Sequence, residues 1–383
     1  MMVAITAATR WASRAQFFAA GFIFATWGVH VPTVKAHYGI DEAQLGLAML
    51  AAGAGAMFGL TSAGRWIGLH GPRRIAALSG CVYALLLAGL IAMPGYFALM
   101  GLLAAFGLVT SVFDVAINTE AAQLEMQSGT PLMSGMHGMF SLGGMAGAAS
   151  GSAVLAAGMG AQTHLLLVAA VMVLLVAVSS TRMLPKAVTG NAASADHGFR
   201  LPRGPLAVLG VLAALGLIAE GAIYDWSVLY MQQELGSPQK QAALAYAAFS
   251  AAMAAARFGG DAMRARFTPI ALLRGSGVLA AAAMTLVLLT DIPWLALVGF
   301  AGVGIGFANV VPILFGASAR VPGVEPASGI ASVSAVAYLG FMAGPAVIGL
   351  LARASSLTAA LYVVVVFAAA LAASARFTRS EAT

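Results

Sequence analysis

The six residues Leu142-Gly-Gly-Met-Ala-Gly147 recur as Leu339-Gly-Phe-Met-Ala-Gly344, 197 residues further along the chain. A proline opens the apolar stretch around each copy, Pro131 in the first case and Pro326 in the second. Other residue pairs repeat at an offset of 197 or 195: Gly39 and Gly236, Leu47 and Leu244, Ile75 and Ile270. A near-constant offset over several segments indicates a chain built of two similar halves, although coincidence in an Ala- and Gly-rich sequence is the alternative.

The composition around this repeat is that of a polytopic membrane protein. Of the 383 residues, 61% are hydrophobic and only 8% are charged, whereas soluble domains carry roughly 25% charged residues. At ~20 residues per span, the chain has room for about twelve transmembrane helices. The predicted spans are 15–36, 43–63, 75–93, 97–122, 131–157, 163–183, 205–231, 239–258, 270–290, 293–319, 326–352 and 356–376.

We therefore predict an all-α membrane protein of twelve transmembrane helices in two pseudo-symmetric six-helix bundles. The first bundle covers residues 1–183 and the second covers residues 205–383. The stretch 184–204 between them contains Pro, Asn, Ser, Gly and basic residues without apolar periodicity, which is typical of a flexible linker. Two parallel halves related by an axis along the membrane normal are typical of secondary transporters.

The basic residues predict how the chain is oriented in the membrane. All but three of the nineteen lysines and arginines fall on one side of the predicted spans, the exceptions being Lys35, Lys240 and Arg353. Because positively charged loops stay in the cytoplasm, both termini and the linker are predicted to be cytoplasmic. The net charge of +6 is explained by this asymmetry without a nucleic-acid partner. The lone cysteine, Cys81, excludes an internal disulfide.

Ionisable side chains at membrane depth are concentrated on four of the predicted spans. Placing a charge in hydrocarbon costs at least ~2.5–3.5 kcal/mol, so such residues usually face a cavity or a partner. Spans one, four, seven and ten of a chain with two six-helix halves commonly surround a central pathway, which favours a solute carrier. The residues are His30 on span one, Asp114 and Glu120 on span four, His137 on span five, and Glu220 and Asp225 on span seven.

Asp114 is the predicted proton-coupling acid. It lies four residues before Asn118 and therefore on the same face of a helix. A carboxyl group in this environment can exchange a proton and, when charged, accept hydrogen bonds from a solute. The alternative is a structural hydrogen bond to a neighbouring helix, for example with His137.

Four further residues are candidates for coupling, binding or gating. Glu220, near the middle of span seven, is predicted to contact a proton or the substrate. Asp225 lies five residues on and hence on another face, where we expect an outer gate or a partner for His30 or Lys35. His30 and His137 titrate near neutral pH and could relay protons, or serve as plain hydrogen-bond partners.

The remaining predicted pocket residues supply aromatic faces and one amide. Aromatic rings bind the apolar faces of sugars or drugs, and an amide both donates and accepts hydrogen bonds. The predicted substrate-binding set is Trp27, His30, Asp114, Asn118, His137, Glu220, Tyr224, Asn309 and Tyr338. Asn309 lies on span ten, which should face span four across the pseudo-axis.

The loop Gly64-Arg-Trp-Ile-Gly-Leu-His-Gly-Pro-Arg-Arg74 resembles the gating loop of the major facilitator superfamily, although Gly68 stands where the superfamily has an acid. The corresponding stretch Arg257-Phe-Gly-Gly-Asp-Ala-Met-Arg-Ala-Arg266 keeps its acid, Asp261. The resemblance implies an inner latch of charge pairs. Glu120 and Glu125 lie near the cytoplasmic end of span four, where we expect them to pair with Arg73, Arg74 or Arg264 as an inner gate. The predicted gating residues are Arg73, Arg74, Glu120, Asp225, Asp261 and Arg264.

Within that superfamily the chain is similar to fucose-permease-like sugar–proton symporters and their uncharacterised bacterial inner-membrane relatives. The similarity rests on Trp27-Gly28, on Asp114-Val-Ala-Ile-Asn118 and on Glu220-Gly-Ala-Ile-Tyr-Asp-Trp226. It implies a carboxylate at Asp114 that binds the coupling proton and a polar side chain at His137. The permease has a second carboxylate in its first helix, and this chain has none there, which argues against fucose itself.

The prediction is therefore proton-coupled transport of a small, sugar-like polar solute across the bacterial inner membrane, with Asp114, Glu220 and His137 as coupling residues. Proton-antiport export of drugs or metabolites is the alternative, and a facilitator without ion coupling is the third possibility. A membrane enzyme would need a nucleophile–base pair or a metal cluster, and we predict neither. No catalytic residue, cofactor, metal or nucleic acid is expected, and the protein should act as a monomer with small-molecule substrate, protons and lipid as its partners.

Overall fold

The computed structural model describes residues 6–129, 132–185, 202–324 and 326–378, without the side chains of a few of them, Asp261 among these. The helices of the first half are α1 (Ala7–Tyr38), α2 (Glu42–His70), α3 (Pro72–Leu86), α4 (Tyr96–Ser128), α5 (Met133–Ala156) and α6 (Ala161–Ser180). Those of the second half are α7 (Pro205–Gln233), α8 (Gln239–Phe258), α9 (Gly260–Arg266), α10 (Pro269–Leu289), α11 (Pro293–Phe307), α12 (Val310–Ser318), α13 (Pro326–Ala354) and α14 (Leu357–Ala373).

These helices form the twelve predicted spans. α1 to α8 correspond to spans one to eight, α9 is a seven-residue connector, and α11 with α12 makes span ten. The break in span ten falls at Ala308 and Asn309 because Pro312 has no N–H to bond the carbonyl four residues earlier. Within the described residues, nine helical segments are long and apolar enough to cross a membrane. α3 and α14 have only 15 and 17 residues, and α8 begins with the polar stretch Gln239-Lys-Gln241.

Local sequence signals explain where several helices begin and end. Asp41 and Gln44 form a reciprocal capping box at the start of α2, with bonds of 2.8 and 3.0 Å between side chain and backbone. Gly39 ends α1 in the left-handed region at φ 60°, which a glycine adopts without steric cost. α1 starts at Ala7, eight residues before the predicted span, because Thr6 accepts a hydrogen bond from the Thr9 amide and caps it.

The two halves pack their helices in the same pattern. In the first half α1 packs on α5, α2 on α4 and α3 on α6; in the second, α7 packs on α13, α8 on α11 and α10 on α14. The contacts between the halves are also related in this way, since α5 packs on α8 and α13 on α2. The predicted duplication and the fold of two six-helix bundles are therefore confirmed.

We call the end of the bundle at which α1 begins and α14 ends the terminal side. The opposite end, at which α1 ends and α2 begins, is the distal side. On the distal side, Gly46 of α2 lies against α13. A Cβ atom on Gly46 would lie 2.7 Å from the Pro345 carbonyl oxygen and 3.3 Å from the Gly349 Cα. Close approach of this kind depends on small residues, as is usual between membrane helices.

Replacing Gly46 with leucine is expected to force the distal ends of α2 and α13 apart. The added side chain meets backbone atoms, so the helices must move toward the ~8–10 Å separation usual for helices with larger contact residues. Spin labels at the exposed positions His37 and Ser355, in a Cys81→Ala background, would report a longer mean distance. Gly101→Leu is the matched control, because a Cβ at Gly101 has nothing within 4 Å. An unchanged distance in both variants would contradict the tight crossing.

Candidate functional site

A cavity of about 300 Å³ lies near the middle of the bundle, between the two halves. Its wall comes from α1, α2, α3, α4 and α5 of the first half and from α7 and α13 of the second. Most of the wall is apolar, with methionines at positions 49, 57 and 342. Its aromatic residues are Phe24, Trp27, Tyr83, Phe106, Phe113, Phe140, Tyr338 and Phe341.

Asp114 lies in this wall, on α4. The Asn118 amide nitrogen donates to its carboxylate at 3.1 Å and to its backbone carbonyl at 2.9 Å. The shared helix face expected for this pair is therefore confirmed. Asn118 itself is not among the described lining residues, so it supports the carboxylate from one turn further along the helix. The arrangement holds a carboxyl group at the cavity surface with one neutral hydrogen-bond donor beside it.

Asp225 is the second carboxylate in the wall, and it comes from α7 of the other half. Its side chain is buried, and the Trp27 side chain of α1 is a polar neighbour of its carboxyl group. The structure brings Asp225, a predicted gate residue, to the same cavity as Asp114, and its gating role stays a prediction. Asp225 follows Glu220 by five residues, which is about 1.4 turns of an α-helix. The two acids therefore lie on different faces of α7 and have different neighbours.

The expected partners of Asp225 are engaged elsewhere, so that part of the prediction is wrong. The Lys35 ammonium lies 3.1 Å from Glu42, across the tight connection between α1 and α2. The His30 Nε2 atom lies 2.9 Å from Nδ1 of His164 on α6. Both contacts are short because the partner lies on the adjacent helix at the same depth.

Glu220 lies behind the cavity wall and forms an ion pair. One guanidinium nitrogen of Arg257, at the end of α8, lies 3.1 Å from its carboxylate. Another nitrogen of Arg257 donates to the Ser141 hydroxyl on α5 at 2.9 Å. The arginine therefore joins a carboxylate of the second half to a helix of the first. In the sequence Arg257 belongs to a predicted gating stretch, but an arginine in the last turn of a span can extend back to membrane depth.

Five other predicted substrate contacts are also not among the described residues of the wall. His30 is fully buried against His164, and that second histidine was not predicted, although it lies at the same distal depth on span six. Asn118 and Glu220 are not among the described lining residues, and their contacts with Asp114 and Arg257 are given above. The His137 ring packs edge-on against Phe17, with ring centroids 5.6 Å apart.

Tyr224 and Asn309 complete this group. The Tyr224 ring packs on Tyr246 and Phe24, with centroids 5.1 and 5.5 Å away. The Asn309 side-chain oxygen accepts a hydrogen bond from Arg264 at 3.2 Å. Of the predicted binding set, Trp27, Asp114 and Tyr338 line the cavity within the described part of the chain. A substrate-binding role for the others stays a prediction.

Apart from Asp225, the predicted gate residues belong to the terminal ends of α3 and α4 and to α9. Glu120 is fully buried, accepts a hydrogen bond from the Leu184 amide at 2.9 Å and interacts electrostatically with Arg73. Arg74 is exposed, and Arg264 donates to Asn309. The side chain of Asp261 lies outside the described residues. Their gating roles stay predictions.

The described contacts of Glu125 are with backbone amides and not with the loop arginines expected for it. Its carboxylate accepts hydrogen bonds from the amides of Leu132 and Met133 at 2.6 and 2.9 Å. These amides belong to the start of α5, where free N–H groups favour a negative charge. Glu125 thus caps the start of α5.

Contacts across the distal side join the two halves above the cavity. Asp41 lies 3.4 Å from Arg353, and the Gln233 amide donates to Glu42 at 3.1 Å. The Gln239 amide donates to the Thr33 hydroxyl at 2.7 Å and to a backbone carbonyl of α1. The sequence carries no distinctive signal for this polar layer, since its members are ordinary polar residues at helix ends. The layer joins the two halves on the distal side.

Comparison with known proteins places this architecture in a family. The family model of the Major Facilitator Superfamily matches residues 15–325. An uncharacterised MFS-type transporter of Yersinia pestis is 34% identical over 365 residues, which cover 95% of this chain and 94% of the relative.

Two solved structures have the same fold. A D-xylose–proton symporter superposes with a TM-score of 0.74 at 12% identity, over 97% of this chain and 98% of its own. The Escherichia coli fucose:proton symporter superposes with a TM-score of 0.65 at 15% identity, over 97% and 98% of the two chains. The paired six-helix halves, the cavity between them and the match over most of the sequence lead to one conclusion: the chain belongs to the major facilitator superfamily, a family of membrane transporters.

Proposed function

We propose that this protein is a secondary active transporter that carries a small, sugar-like polar solute by alternating access and couples this movement to protons. The observation that carries the proposal is the cavity between the halves, which is lined by Asp114. Contacts between α1, α2, α7, α8 and α13 join the halves on the distal side. A site between two similar halves can be exposed to either membrane side when the halves rock against each other.

Asp114 is the proposed coupling acid, because it is the described carboxylate of the first half that lies in the wall with only a neutral donor bonded to it. Glu220 and His137 are proposed as secondary coupling residues. Both interact with Arg257, which forms an ion pair with Glu220 and interacts electrostatically with His137. Protonation of either group would change the charge balance around Arg257 and hence its bond to Ser141.

We place the protein in the bacterial inner membrane as a monomer with both termini in the cytoplasm. The three basic residues assigned to the outside lie on the distal side, where Lys35 and Arg353 pair with Glu42 and Asp41. The distal side is then the outer side, and the contacts across it are the closed outer gate. The proposed units are residues 1–183 and 205–383, with the linker 184–204 between them.

The test is uptake by purified protein in proteoliposomes, using labelled sugars and cationic dyes with and without an imposed inward acid gradient. Accumulation that follows the proton gradient and collapses with a protonophore is the expected result. Protein-free liposomes give the leak rate. Solute movement that ignores the gradient would remove proton coupling from the proposal and leave a facilitator.

Proton-antiport export is the second candidate, and the composition of the wall favours it. The three methionines and the aromatic rings of the cavity form a soft surface that accommodates amphipathic molecules. Dye movement opposite to the proton gradient, with no sugar signal, would identify the protein as an exporter.

A further inference from the structure

The ionisable side chains described in the cavity wall are all acidic. Among the described lining residues there are two carboxylates, Asp114 and Asp225, and no lysine, arginine or histidine. They come from different halves of the protein, so both halves direct an acid toward the same space. An anionic solute would meet like charge on both sides of the cavity, and like charges in a low-dielectric site repel strongly.

Glu220 provides an internal comparison. It is at membrane depth on the same helix as Asp225, and Arg257 supplies its counter-charge at 3.1 Å. For Asp114 and Asp225 the described contacts are neutral side chains, the Asn118 amide and the Trp27 side chain. Buried charges are normally paired, since an unpaired one is costly. The counter-charge for these two acids therefore comes from the cavity, as a proton or as a cation.

The rest of the wall suits an organic cation better than a hydrated metal ion. Aromatic residues line the same cavity as the two acids, and a cation within about 6 Å of a ring centroid is attracted to the ring face. Phe24, Trp27, Tyr338 and Phe341 are in the same wall as the carboxylates. A volume of about 300 Å³ is at the small end of ligand pockets, which limits the solute to a small molecule.

We infer that the solute bound in this cavity carries a positive charge, as an amine or quaternary ammonium, with Asp225 and deprotonated Asp114 as its counter-charges. This inference rests on the proposed transport function and names the charge of its solute. It is independent of whether the body of the solute is sugar-like.

The experiment measures the thermal stability of the purified protein with two matched probe pairs at constant ionic strength. Choline is compared with 3,3-dimethylbutan-1-ol, its neutral isostere, and glucosamine with glucose. At least one cation is expected to stabilise the protein at about tenfold lower concentration than its neutral counterpart, and Asp114→Asn/Asp225→Asn should abolish that difference. Glu125→Gln, which removes a carboxylate that caps α5, should leave it unchanged.

Several results would overturn the inference. They are stronger stabilisation by the neutral members, no stabilisation by either cation, or a cation effect that persists in the double variant. If the double variant does not fold, the two single variants and the wild-type probe pairs decide the question. Because this assay measures binding, cation binding without transport in proteoliposomes would refute the proposed function alone. Proton-driven uptake of a neutral solute would refute only the charge inference.

Discussion

Asp114→Asn is expected to abolish proton-driven accumulation of the transported solute in proteoliposomes, while exchange of labelled for unlabelled solute continues at a reduced rate. Asparagine has nearly the same shape and can still hydrogen-bond Asn118, but it cannot bind and release a proton. The step that should disappear is the coupling of the acid gradient to the orientation of the cavity. Accumulation ratios with an imposed gradient and exchange rates without one measure the two quantities separately.

Glu125→Gln is the control for this experiment. It removes a carboxylate from the same helix, α4, at a position that caps α5 and does not line the cavity in the described residues. Its accumulation ratio should stay close to that of the wild type. A wild-type accumulation ratio in Asp114→Asn would show that the coupling proton is held elsewhere, and Glu220 would then be the next carboxylate to replace.

The second large effect is expected at Arg257. Its guanidinium pairs with Glu220 at 3.1 Å, and the two side chains are only 15% and 10% exposed. Removing one partner of a buried pair leaves an uncompensated charge and typically costs ~3–5 kcal/mol. Arg257→Gln should lower the free energy of unfolding by about this amount and also weaken the bond to Ser141 that joins the two halves. Equilibrium unfolding in mixed detergent micelles provides the measurement.

The matched control is Arg353→Gln, which breaks an ion pair at the distal surface. Arg353 and Asp41 are 63% and 37% exposed, and exposed pairs contribute ~0–1 kcal/mol. The double variant Arg257→Gln/Glu220→Gln should recover part of the lost stability, because it removes the orphaned carboxylate as well. Equal losses for Arg257→Gln and Arg353→Gln would indicate that the inner pair is solvated and does not hold the halves together.

The architecture could be predicted because repeats and apolar segments can be recognised from the order of residues alone. The repeated motif Leu142–Gly147 and Leu339–Gly344 identified two halves, and the apolar segments identified twelve spans, including the broken span ten. Helix boundaries were less accurate, as for α1, because capping by Thr6 depends on a single side-chain bond and not on hydropathy.

The site was predicted in part. The position of Asp114 beside Asn118 follows from helix periodicity, and both acids of α7 were identified as residues that need a partner. The identity of those partners was not accessible, and Asp225 was assigned to His30 or Lys35 when its neighbour is Trp27. Arg257 and His164 were missed because their importance arises only from contacts with residues 37 and 134 positions away.

The sequence by itself determined the class, the number of spans, the duplication and the depth of each ionisable residue, since these depend on composition and position along one dimension. Only the tertiary structure decided which of those residues face the cavity. In a soluble helix the apolar stripe indicates the buried face. In a membrane helix the lipid and the protein interior are both apolar, so the rotation of each helix is set by close packing with its neighbours. Because of that rotation, Asp114 and Asp225 line the same cavity, whereas Glu220 forms an ion pair with Arg257.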